Sequence, residues 1–524
     1  MPRLEVDSGL LSDPIASQAA PGEVPPELPL GASAAQGAIW RIGGQVAKII
    51  LQLGSLCYLS RVLSPSDFGV VYFGLAFIGI GQLFVVIGPA SAIIQAPNLV
   101  ADDIARIIAL NAAISFVVAC VIAAASYVMM PNAEMFDVIV ALAIAFFLSS
   151  FAMAPLALLQ RALRFRLLAI AETSIYAATN VVLVVALAQA GHGAMSLAIG
   201  HLCNATLLVV VLFSAAPIRW TPRWSDLRGF NLIQKFGLAV SLAELAYYLL
   251  VNVDVLLVGR FLGTEAVGFY SRALYLIRTP ANALLVSVHV VFFALMARVS
   301  TEAERIRDFY VRVVSLSLAL LTPAALFLCA YAFPLIRLLF GNDWLETANL
   351  LQVFSFLLLA AVSTIGDAVL KATANVRSQI ICRLTALCIS VVATLIALPY
   401  GLRAVAYASL LTNLVLAASI HYVVSRVIDL NASNQLRLFR PAAIIGVLTT
   451  VTLWALDSLL ERMRPDELVQ LSCGAIAVVA VAAGALFIPD IAMQAIRGDL
   501  TKIASRLLSG RVRPDVRVTT IPSS

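Results

Sequence analysis

The sequence predicts an all-α membrane protein that crosses the bilayer about fourteen times, and three observations lead there. Hydrophobic residues make up 61% of the 524 and charged residues only 12%, with a mean hydropathy of +0.97. A soluble domain carries about 25% charge, so this chain needs an apolar solvent. Apolar stretches long enough for a span of roughly 20 residues recur along it. Short motifs also recur at a spacing close to 200 residues, which predicts two parallel six-helix pseudo-repeats plus two extra helices.

Taken in order, residues 1–36 hold Pro2, Pro14, Pro21, Pro25, Pro26 and Pro29 among small and acidic residues. No basic region leads into an apolar core, so this stretch reads as a disordered tail and not a signal peptide. The spans follow near 37–60, 67–94, 104–129, 137–159, 167–190, 194–216, 231–258, 265–296, 309–333, 345–370, 378–398, 401–425, 439–460 and 467–488. The first six form an N-terminal lobe over 37–216. The next six form a C-terminal lobe over 231–425, and the last two lie within 426–488.

Between the lobes, residues 217–230 mix Trp220 and Trp224 with arginines, which suits headgroup depth. In the tail at 489–524, Ile496, Leu500, Ile503 and Leu507 share one helical face while Arg497, Lys502 and Arg506 lie off it. That pattern predicts an amphipathic helix on the membrane surface. Orientation follows from the loops: with the amino terminus cytoplasmic, 24 basic residues fall on that side and six on the other. Both termini are therefore expected in the cytoplasm.

The repeat is carried by particular residues. Arg61 to Gly69 (RVLSPSDFG) after the first span is echoed by Arg260 to Gly268 (RFLGTEAVG) after the seventh, and Gly193 to Ala198 by Gly401 to Ala406. An even number of spans per repeat makes the halves parallel, with a site expected where they meet.

The first span carries a polar seam. Arg41, Gln45, Lys48 and Gln52 follow at i, i+4, i+7 and i+11, one narrow helical face. A charge in hydrocarbon costs about 3 kcal/mol or more, so the seam should face protein or a watery cavity. For Arg41 a second reading fits equally, in which it snorkels to the headgroups. On the seventh span Glu244, Tyr248 and Asn252 share a face, with Tyr247 and Asp254 nearby. The eighth carries Arg272, Arg278 and Asn282, and the fifth carries Glu172.

Because spans 1 and 7, and 2 and 8, are repeat mates, their seams are expected to face one another. Arg41, Lys48, Arg272 and Arg278 would line a cationic cavity that attracts a phosphate group. Gln45, Gln52, Tyr247, Tyr248, Asn252 and Asn282 would contact the remaining polar part of a ligand. Glu172, Glu244 and Asp254 would pair with the cations or exchange a coupling ion. Asp367 and Lys371, one turn apart on span ten, read as a local ion pair.

Several classes are disfavoured. Walker, dinucleotide and zinc-protease patterns are missing, and the seven cysteines lie in spans without metal-ligand spacing. No cofactor or metal is expected, energy coming from a proton or sodium gradient. Nucleic acid is not an expected partner, since the net charge of +6 reflects loop arginines. A drug or cation antiporter, whose site should be dominated by acids, and an integral-membrane polymerase or glycosyltransferase remain as alternatives.

Four stretches resemble a known group: LSRVLSPSDFGVVYFGLAF (59–77), AIIQAPNLVADD (92–103), LQRALRFRLLAIAE (159–172) and DVLLVGRFLGTEAVGFYSRA (254–273). They are similar to the polysaccharide-transporter family of Wzx-type flippases, within the superfamily that also holds the MATE exporters and lipid II flippases. The resemblance implies a multi-pass protein of the bacterial inner membrane that is not an enzyme. It would move undecaprenyl-diphosphate-linked oligosaccharide units to the periplasmic leaflet by ion-coupled alternating access, for exopolysaccharide, capsule or O-antigen synthesis. Membrane lipids, and a polysaccharide polymerase with its export machinery, are the partners it implies. It also implies cations on the first and eighth helices, where Arg41, Lys48, Arg272 and Arg278 stand.

Overall fold

A computed structural model describes residues 30–86, 101–129, 133–216 except 163, 231–281 except 280, and 303–485 except 374, 464 and 465. The described chain is α-helical throughout and contains no strand. In order, the helices are α1 (Leu30–Leu59), α2 (Pro65–Val86), α3 (Ala101–Met129), α4 (Ala133–Arg161), α5 (Phe165–Gln189), α6 (Gly193–Ala215), α7 (Asn231–Phe261) and α8 (264–279). After these come α9 (Ala303–Ala330), the bent α10 (Asn342–Phe354 with Leu357–Ala372, turned by 43°), α11 (Val376–Ala397), α12 (Leu402–Val427), α13 (Ala432–Met463) and α14 (Glu467–Ala485).

Ten of the described helices are long and apolar enough to cross a membrane, or eleven counting bent α10 as one span. Helices α1, α7 and α8 stand where the other three expected spans fall. The protein is a multi-pass helical membrane protein. Of the disordered tail expected over 1–36, residues 30–36 instead form the start of α1, while residues 1–29, the link at 217–230 and the amphipathic stretch at 496–507 lie outside the described residues. So does most of AIIQAPNLVADD.

Helix pairing repeats between the two sets of six. Helix α1 packs on α5 as α7 packs on α11, and α4 packs on α6 as α10 packs on α12. Helices α13 and α14 attach to α9, with Gly446 against Thr322, Gly474 against the ring of Tyr331, and an ion pair of 3.6 Å between Arg337 and Glu467. Within α5, Ala177–Leu183 widens into a π-helical turn, an irregularity often found at functional sites.

The two sets meet at one end through an apolar core. Leu56, Leu59, Leu63, Phe68 and Phe73 of the first set are buried with Val258, Tyr270, Leu274 and Trp344 of the second. Trp344 is fully buried, its ring edge-on to Phe68, Phe269 and Phe340, and its indole N–H donates to the Ser60 carbonyl at 2.8 Å. Here the RVLSPSDFG and RFLGTEAVG motifs touch reciprocally. A Cβ on Gly69 would overlap the Thr264 carbonyl, and one on Gly268 would overlap the Pro65 carbonyl. Thr264 and Pro65 are repeat mates, as are Gly268 and Gly69, so one contact is made twice about the pseudo-twofold axis. Only glycine lets backbones approach this closely.

The start of α2 is fixed by a capping box. Ser64 Oγ receives the Asp67 N–H at 3.3 Å, while Asp67 Oδ2 accepts the Ser64 N–H at 2.9 Å, with Pro65 at the first helical position.

Candidate functional site

Below this junction the polar seams converge. At a rise of about 1.5 Å per residue, Gln52 and Lys48 lie about 10 and 16 Å along α1 from its end at Leu59. Arg272 and Arg278 lie about 12 and 21 Å into α8 by the same rise. The two seams therefore overlap in depth, with Arg272 standing among the core residues Tyr270 and Leu274, and one contact joins them: Tyr275 of α8 donates to Gln52 Oε1 at 3.4 Å.

On the N-terminal side Lys48 Nζ stands 4.0 Å from Glu172 Oε2, and 5.9 Å above the ring of Tyr176. The Lys48 and Glu172 side chains keep 30% and 39% of their exposure, so this is an open, loosely paired couple. A pair of that geometry is worth little as a staple and can exchange partners. Tyr176 also engages Ser55 of α1.

On the C-terminal side Arg272 is held by rings. Its guanidinium lies 4.6 Å from the centre of Phe68, 6.0 Å from Tyr72 and 5.8 Å from Tyr275. Stacking of this kind orients a planar cation without neutralising it. Among the described residues no carboxylate pairs with Arg272, and its Nε is buried without a hydrogen-bond partner. Arg278 donates to the Val251 carbonyl at 2.9 Å, which ties it to α7.

Of the residues the sequence singles out, the structure pairs Lys48 with Glu172 and links Gln52 to Arg272 through Tyr275. Arg41 is exposed near the far end of α1, its guanidinium 5.8 Å from the Phe165 ring, and Gln45 is exposed between it and Lys48. Tyr248 belongs to the contact between the sets, donating to the Ala76 carbonyl of α2 at 2.9 Å beside Gly79. Asn252, nearly buried, donates to the Tyr248 carbonyl.

Two of the expected residues are turned elsewhere. Tyr247 lies under the Arg383 guanidinium at 4.4 Å, on the α11 side of α7. Asp254 is buried among α7, α8 and α12, accepting the Val255 N–H at 2.8 Å and the hydroxyls of Tyr270 at 2.7 Å and Ser409 at 2.8 Å. Three hydrogen bonds and full burial tie it to the fold, away from the Lys48 couple. Asp367, expected to pair along its own helix with Lys371, is bonded across to Arg383 at 2.9 Å. The side chains of Glu244 and Asn282 lie outside the described residues.

The residues that sequence reasoning missed are the rings of α2, Phe68 and Tyr72, together with Trp344. Phe68 and Tyr72 fall at i and i+4 on an otherwise uniformly apolar helix. Nothing in that local pattern marks them as partners of an arginine 200 residues away.

Residues 58–349 match the family described as "Polysaccharide biosynthesis protein". Among curated relatives, the chain is 24% identical over 319 residues to an "Uncharacterized membrane protein in cps region" of Klebsiella pneumoniae, covering 60% of this chain and 66% of that one. It is 24% identical over 345 residues to "Lipopolysaccharide biosynthesis protein WzxC" of Escherichia coli K12, covering 65% and 70%. The chain thus spans about two thirds of the length of these relatives. Among solved structures, the fold is similar to "Lipid II flippase MurJ, inward closed conformation", with a TM-score of 0.67 at 12% identity over 91% of this chain and all of that one. It is also similar to an inward-facing multidrug resistance MATE family transporter of the MOP superfamily, at 0.58 and 15% over 75% and 98%. These likenesses show the fold, a bundle of many transmembrane helices.

Proposed function

The chain belongs to the family of polysaccharide biosynthesis proteins, matched over more than half of its length, and on that premise we propose that it is an inner-membrane flippase. Its substrate is an oligosaccharide unit linked to undecaprenyl diphosphate, and it carries the head group from the cytoplasmic to the periplasmic leaflet. The observation that carries this reading is the polar belt that links the two six-helix sets: Tyr275, whose ring flanks the Arg272 guanidinium, donates to Gln52, one helical turn from the half-exposed Lys48.

A diphosphate suits this belt. Arg272 offers an oriented guanidinium with no competing carboxylate, and Lys48 is held by a partner it can release. Phosphate binding would draw Lys48 from Glu172, leaving Glu172 to take up a proton or sodium ion. Gln52, Tyr275 and Tyr176 supply neutral hydrogen-bonding groups for sugar. With the junction closed at Gly69, Gly268 and Trp344, the belt is reached from the side where the basic loops cluster, the expected cytoplasmic face. Separation of the glycine contact, with closure at the opposite end, would expose it to the other leaflet.

The test is genetic and chemical. Deletion of the gene should make lipid-linked repeat units accumulate in the cytoplasmic leaflet. Wild type should clear them and the Lys48→Gln/Arg272→Gln variant should not, in protein that inserts normally. Unchanged surface polysaccharide with no accumulating intermediate would overturn the reading.

A further inference from the structure

A second feature lies on the outer flank of α5, away from the polar belt. Two apolar clefts of about 460 and 660 Å³ run along this helix, one shared with α1 and the other with α6. They are separated by a ridge at Ile170, 49% exposed, and both are lined by Ser174. At one end they converge on Trp40, Arg164 and Arg166. Both arginines are exposed, and among the described residues neither has a carboxylate partner. The Arg166 guanidinium lies 5.0 Å from the Trp40 ring centre, which fixes it at the mouth of the α1 cleft. That mouth lies at the end of the span, where Trp and Arg mark headgroup depth.

We propose that this site binds an anionic diacyl phospholipid, with its phosphate at Arg164 and Arg166 and one acyl chain in each cleft astride Ile170. Two features choose this occupant. The paired clefts match a molecule with two chains leaving one head, and the two unpaired cations at the point of divergence match a head with net negative charge. A zwitterionic lipid fills the clefts equally well but carries its own cation to the arginines. A single-chain carrier would leave one cleft empty. The occupant is a resident of the membrane and not the transported molecule, because the α1 cleft is floored by Gly44 and Ala169, where α1 and α5 close against each other.

Native mass spectrometry of the purified full-length protein, titrated with phosphatidylglycerol and phosphatidylcholine, tests this without any transport readout. Each arginine at the surface contributes a factor of about five toward an anionic lipid, so wild type should prefer phosphatidylglycerol on the order of 30-fold for its tightest site. Arg164→Gln/Arg166→Gln should bring the two lipids to parity, and Arg164→Lys/Arg166→Lys should keep most of the preference, showing that the fold is intact. Ser174→Phe, which narrows both clefts where Ser174 lines them and leaves the charge alone, should lower phosphatidylglycerol occupancy. Glycerol 3-phosphate should not compete. Equal binding of the two lipids by wild type, a preference that survives the glutamine variant, full occupancy of the Ser174→Phe protein, or competition by the soluble phosphate would each overturn the proposal.

Discussion

The apolar junction and the polar belt beneath it join the same two helix sets by opposite means. At the junction, backbone meets backbone at Gly69 and Gly268, and Trp344 is fully buried under three aromatic rings. In the belt, Lys48 and Glu172 stand 4.0 Å apart with about a third of their side-chain surface open, and the sets are joined there by a 3.4 Å contact of Tyr275 with Gln52. The first region works by shape, which tolerates no added atoms. The second works by charge held in reserve, which tolerates rearrangement but not neutralisation. The proposed seal and the proposed binding surface would make different demands, and these residues divide along that line.

The comparison can be broken most severely at the glycines. Gly69→Val or Gly268→Val should prevent the junction from closing and abolish transport, because the added atoms meet a carbonyl with no room to yield. A cysteine in place of Gln52 should then become reactive to a membrane-impermeant thiol reagent applied from the outer face. Normal transport, or no gain in labelling, would show that the junction is not the seal. Next in size, Trp344→Ala should cost about 3–5 kcal/mol through the cavity it leaves. It should appear as a large drop in the thermal midpoint of the purified protein, with residual transport in whatever remains folded.

Changes in the belt should act the other way, on transport and not on stability. Lys48→Gln should lower the flipping rate roughly 10- to 100-fold, the worth of one charge-assisted contact, with a thermal midpoint near wild type. A fall in stability as large as that of Trp344→Ala would make Lys48 a structural residue. The smallest effect is expected at the edge of the junction. Asp67→Ala removes half of the capping box and should cost about 1 kcal/mol, with transport largely kept.

Much of this was legible in the chain, because a bilayer constrains sequence harder than water does. Apart from the basic residues assigned to the loops and span ends and the one in the leading tail, the cations that remain are Arg41, Lys48, Arg272 and Arg278. Their cost in hydrocarbon marks them without any structure. The repeat was readable too, since each half must satisfy the same lipid boundary, and Gly69 with Gly268 stood in its best-matched segment. Less could be read of the acids. Glu172 and Asp254 look alike in sequence, each a carboxylate deep in an apolar helix, yet one is open beside Lys48 and the other is hydrogen-bonded by Tyr270 and Ser409.

By itself, then, the sequence determined that this is a helical membrane protein, where its spans lie, that it is built twice over, and which charges are too costly to be incidental. Tertiary structure decided what those residues meet. Helical periodicity puts residues on a face but does not say which neighbour occupies it. Tyr247 and Tyr248 are separated by one step of about 100°, and one lies under Arg383 while the other bonds Ala76 across the lobes. Only packing decides such partners, because they depend on helices distant in sequence and on how closely glycine lets two backbones approach.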